Sequence, residues 1–177
     1  ERSVSCAMLA PDVGRILTRW ARGRRDISGL VLIGSRERRS DDPVWRADRH
    51  SDWDFQVITS RPEVFATAAW TRGLRGLRVE ACGVRTARIG GVPKIHLLAG
   101  GTEVDLVIIP SQQLQSLAAA CRRGEHLRTS PVRSALQDLA MVIRPGWRFL
   151  HGSRRWAALF RRVVAEVPDP QIGRAHV

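Results

Sequence analysis

The sequence predicts an α/β (α+β) fold, a sheet flanked by helices that gives way to the start of a helical C-terminal portion. Three observations carry this expectation. Short apolar runs bounded by turn residues, within residues 30–33, 52–59 and 94–109, read as strands. Segments with apolar residues three and four apart, near the start and through the last third of the chain, read as amphipathic helices. Gly100-Gly101 joins two strand-like runs, a two-residue hairpin signal.

Each element has its own reason. Residues 11–24 form a helix because Val13, Ile16, Leu17 and Trp20 share one face, Pro11 suits a first turn and Asp12 complements the helix dipole. Residues 30–33 form a buried strand that turns at Gly34-Ser35. A glycine there lets backbone approach a ligand, and a helix start after it offers N–H groups to phosphate oxygens. Residues 52–59 form a second strand, with Asp52, Asp54, Gln56 and Ile58 on one face and Trp53, Phe55 and Val57 in the core. Arg61-Pro62-Glu63 opens a helix through Trp70, and residues 77–84 make a third strand interrupted by Gly83. The hairpin follows at 94–109, and Pro110 ends the sheet. Helices are expected at 114–121, 131–141 and 154–167, the last with a stripe of Trp156, Leu159, Phe160 and Val163.

The chemistry lies in three carboxylates. Residues i and i+2 of a strand face the same way, so Asp52 and Asp54 reach one region of space. Two adjacent carboxylates repel unless a cation lies between them, and hard oxygen ligands favour Mg²⁺ held jointly with substrate phosphates. Asp105 sits in an otherwise apolar strand, where an unpaired charge is costly, so it reads as a third ligand. A hairpin turning at Gly100-Gly101 sets His96 opposite Asp105, where a structural role is the stronger reading of the histidine. Arg36, next to the phosphate turn, either forks onto phosphate or pairs with Asp41 or Asp42. Lys94 could reach phosphate, but a lone lysine at a strand start reads first as exposed.

The order Gly34-Ser35, Asp52-x-Asp54 and a later strand with Asp105 resembles the nucleotidyltransferase superfamily that includes DNA polymerase β. Gly34-Ser35-Arg36 with Val104-Asp105-Leu106 is most similar to the bacterial aminoglycoside 6-adenylyltransferases, over about residues 12–110. The resemblance implies a mixed-sheet nucleotidyltransferase core over 1–125 and the start of a helical C-terminal domain over 126–170. It implies Gly34 and Ser35 on the triphosphate of ATP, beside Arg36, and Asp52, Asp54 and Asp105 as the catalytic carboxylates, with Asp52 and Asp54 on Mg²⁺ and Asp105 either binding the metal nearer the acceptor or taking its proton. The acceptor implied is an aminoglycoside hydroxyl, hence antibiotic resistance. The loop after Arg36 is longer than the family's usual spacing. Other readings are a stand-alone nucleotidyltransferase of toxin–antitoxin type acting on protein or tRNA, and a non-catalytic nucleotide- or nucleic-acid-binding domain.

Bulk properties narrow the classes. With 177 residues, 44% of them hydrophobic, the chain can bury a real core. A net charge of +12 suggests nucleic acid, but Lys94 is the only lysine and asparagine and tyrosine are absent. A GC-rich coding sequence explains that skew, and the arginines are scattered, so nucleic acid is the weaker expectation. Cys6, Cys82 and Cys121 suggest neither a disulfide framework nor a metal knuckle, which fits a cytoplasmic protein. No apolar run suggests a membrane span. The chain opens on Glu1, and residues 171–177 read as a non-native tail, so a fragment is expected.

Overall fold

The computed structural model describes residues 12–37, 51–125, 130–152 and 154–168. They form an α+β fold around a mixed six-stranded sheet with helices on both faces. The first helix, α1 (Val13–Arg22), is capped by Asp12, whose carboxylate accepts the Arg15 N–H at 3.0 Å. The strands are β1 (Ile27–Ile33), β2 (Trp53–Thr59), β3 (Val79–Thr86), β4 (Pro93–Ala99), β5 (Thr102–Pro110) and β6 (Arg148–Gly152). Helices α2 (Ser111–Arg122), α3 (Ser130–Ile143) and α4 (Arg154–Glu166) complete the described chain. The strand order is β3-β4-β5-β2-β1-β6, and β2–β5 is the parallel pair among otherwise antiparallel neighbours.

Burial on both faces explains the apolar character of the central strands. On one face, Val13, Leu17 and Trp20 of α1 pack against Leu30, Leu32, Phe55, Val57 and Leu106. On the other, Val31, Ile33, Ile58 and Ile109 meet Leu114, Leu136, Leu139, Trp156 and Phe160 of the C-terminal helices. The hairpin has the expected register, Ala99 opposite Thr102 and His96 opposite Asp105. Gly100 and Gly101 take φ of 59° and 74°, the left-handed values that a two-residue turn demands.

Several sequence expectations are corrected. The helix expected from Arg61 to Trp70 is two 3₁₀ segments, Pro62–Ala66 and Ala68–Gly73. Thr67 between them is extended, and its hydroxyl accepts the Ala69 N–H at 3.4 Å, so the chain restarts there. The third strand begins later, at Val79, because the Leu77 N–H still closes a turn onto the Leu74 carbonyl. Asp52 precedes β2 and is exposed, so it does not open the strand. Gly34 is followed by a single 3₁₀ turn, Gly34–Glu37. The sheet does not end at Pro110, since β6 pairs antiparallel with β1 and forms an edge. That strand has five residues and little alternation, too weak a signal to read beside flanking helices. Pro11, Cys6, the charged loop with Asp41, Asp42 and Asp48, and the 171–177 tail lie outside the described residues. No helix among the described residues is long and apolar enough to cross a membrane.

Candidate active site

The site is built on rows that run across the sheet. In the first row Ile33 of β1 lies opposite Asp54 of β2, Asp54 beside Asp105 of β5, and Asp105 opposite His96 of β4. Partners on adjacent strands share a face and lie about 5 Å apart, so the sheet brings Asp54 and Asp105 side by side. The next row holds Val31, Gln56, Val107, Lys94 and Arg85. Helices α2 and α3 roof this face and leave a cavity of about 650 Å³. Asp54, Gln56 and Lys94 line it from the sheet, Leu114 and Leu139 from the roof, and Arg88 from the β3–β4 loop.

The two aspartates are in different electrostatic states. Asp105 bonds to Lys94 Nζ and lies 2.8 Å from His96 Nδ1, with Arg85 Nη2 at 3.8 Å. Burial pushes its carboxyl up, but the bonds to Lys94 and His96 outweigh this and hold it below the usual carboxylate range. Asp54 makes no hydrogen bond or ion pair with any described residue. Burial raises its pKa, the field of Lys94 works against that, and the negative charges of Asp105 and Asp52 raise it further. The pair therefore has one neutralised carboxylate and one seeking a cation.

Gly34 is fixed by contact with Asp54. Its φ is +77°, and a Cβ there would stand 2.4 Å from Asp54 Oδ2, so only glycine fits beside the carboxylate. It forms part of the cavity wall. Ser35 follows it, partly exposed, in the 3₁₀ turn. Arg36 is directed elsewhere. Its guanidinium lies 4.1 Å over the Trp53 ring and donates to the Ser51 carbonyl at 2.6 Å. Trp53 packs with the α1-side core, on the face opposite Asp54.

Of the residues expected at the site, Asp54, Asp105 and Gly34 come together. Asp52 contributes charge from the strand's entrance. Among the described residues, no three His, Cys, Asp or Glu side chains form a closed metal-binding group. Four contributors lie outside the set expected from sequence. Lys94 is mostly buried against Asp105, and Arg85 and Arg88 add cations through the β3–β4 hairpin. Gln56 lines the cavity at 2% exposure. A lone glutamine two residues past Asp54 in an apolar strand was the signal that could have revealed it.

No family model matches the chain, and no curated protein is similar to it in sequence.

Proposed function

We propose that the protein is a Mg²⁺-dependent nucleotidyltransferase that moves AMP from ATP to a hydroxyl of a small acceptor, an aminoglycoside being the class implied by the sequence resemblance. The observation that carries the reading is Asp54. Its carboxylate is partly buried with a raised pKa, has no ion pair with any described residue, and feels the charges of Asp105 and Asp52 against the field of Lys94, so its own negative charge lacks a direct partner. A hard divalent cation relieves that charge, and carboxylate oxygens suit Mg²⁺. Asp54 and Asp52 would hold it, Asp105 completing the acidic set, and the phosphates of ATP would supply further ligands. When bound, the ion supplies charge stabilisation for the phosphoryl oxygens.

The chain's own groups do the rest. Gly34 carries the backbone close to Asp54 without a side chain between. Lys94, Arg85 and Arg88 form the basic side of the cavity, suited to pyrophosphate oxygens. Asp105 holds Lys94 and His96 in place, and its lowered pKa makes it a poor proton acceptor. In the reaction the acceptor oxygen bonds to the α-phosphorus, the bond to pyrophosphate breaks, and the hydroxyl proton passes to solvent water. Mass spectrometry of an aminoglycoside incubated with ATP and Mg²⁺ tests the reading: a gain of one AMP supports it, and an unmodified acceptor opposes it.

One observation favours a second reading, transfer to protein or tRNA. The chain's net charge of +12 suits an anionic macromolecule better than a polycation, whose docking needs acidic groups such as Asp54 and Asp138 in the cavity.

A further inference from the structure

Gln56 is a fully buried polar residue of the cavity that the phosphate chemistry leaves unused. It lies on the same face of β2 as Asp54, between Val31 of β1 and Val107 of β5, and is 2% exposed. Its Oε1 is buried without a hydrogen-bond partner among the described residues. Ile33, Val107, Ile109, Leu114 and Leu139 give the floor and roof an apolar part, beside Gln113 and Asp138 of the roof helices. A buried amide oxygen with nothing donating to it destabilises the fold, and an aliphatic side chain would suit those neighbours better. A glutamine is explained here if something entering the cavity donates to it.

Position decides what that is. The strand rise sets Gln56 about 6–7 Å beyond Asp54, deeper under the helices. Lys94 lies two strands away past Val107, about 10 Å across the sheet. Phosphates belong at that basic side, so the group reaching Gln56 is a phosphate-free donor, which an acceptor supplies and which the comparison with Mg–ATP below separates from the nucleoside. We propose that Gln56 is the specificity-determining residue of the acceptor pocket, its carbonyl oxygen accepting a hydrogen bond from an acceptor hydroxyl or amine whose apolar ring face rests on Val107 and Ile109. The proposal rests on the nucleotidyl-transfer reading. Asp138 of α3, also in the cavity wall, adds negative charge that favours an amine-bearing acceptor.

The test uses Gln56→Met in the 177-residue chain, because methionine keeps the length of glutamine and removes its hydrogen bonding. Thermal unfolding is measured without ligand, and calorimetry gives the affinities for Mg–ATP and for streptomycin as an aminoglycoside probe. The ligand-free Tm should rise by about 2–6 °C as the unpartnered oxygen is removed. Streptomycin affinity should fall about tenfold or more, with Mg–ATP affinity within about twofold of wild type. A lowered Tm or a variant that does not fold overturns the assignment, since either makes Gln56 a residue of the fold. So does an unchanged streptomycin affinity, or an equal loss for Mg–ATP. Those failures leave nucleotidyl transfer standing if the wild type still adenylylates its acceptor. A wild type that binds neither probe overturns both.

Discussion

Asp54 is costly to the fold, and that cost is measurable. Its pKa is higher folded than unfolded, chiefly through burial. Between the two values the unfolded state binds fewer protons, so stability falls as pH rises through that window, and the penalty is complete above the folded pKa. Asp54→Asn should therefore raise the Tm at pH 7, and the gain should shrink as acid protonates the native carboxylate. The same change should lower AMP transfer by at least roughly 100-fold, the loss expected even for a supporting group of a metal site. Thermal unfolding between pH 3.5 and 7 and a transfer assay check the two arms. At this scale the sequence was informative where spacing on one strand sufficed. Asp105 was legible because an acid in an apolar strand is expensive, Asp54 through its spacing from Asp52, although Asp52 itself lies before the strand, and Gly34 because it ends a strand. Gln56 was visible on the right face, but its missing partner depends on neighbours from three strands and two helices.

Elements decide which cations line the cavity. Arg36 follows the phosphate turn in sequence, yet the 3₁₀ turn after Gly34 swings it over Trp53 on the opposite face. The β3–β4 hairpin brings Arg85, Arg88 and Lys94 instead. Arg36→Ala should lower stability by about 1–2 kcal/mol through loss of the stack while leaving the KM for ATP within about twofold. Arg85→Ala and Arg88→Ala should each raise that KM about tenfold with little change in Tm. Urea denaturation with steady-state kinetics on the three variants separates the roles. The hairpin register was legible because Gly100-Gly101 permits one tight turn, so His96 had to oppose Asp105. The segment after Arg61 was not, because helical spacing cannot report the extended Thr67 that splits it.

The whole molecule is a sheet with a core on each face, and the site lies where the second core stops short. Trp147 packs edge-on against Phe149 and Phe160 at 5.7 and 5.5 Å, and Phe149 and Phe160 meet tilted at 5.2 Å, tying β6 and α4 together beside β1. Phe160 is fully buried, so Phe160→Ala should cost about 3–5 kcal/mol in chemical denaturation. Helix α4 backs α3, which roofs the cavity, so that loss should carry ATP binding with it. The fold class was legible from the alternation of strand and helix patterns. The edge strand β6 was not, since its place depends on pairing with β1 more than a hundred residues earlier.

The central claim is that Asp54 and its neighbours transfer a nucleotide. The direct measurement is mass spectrometry of an aminoglycoside panel incubated with the chain, ATP and Mg²⁺, beside the Asp54→Asn variant. The account predicts one added AMP on an acceptor with wild type, released pyrophosphate, and neither with the variant. Unmodified acceptors and intact ATP with both proteins would contradict it.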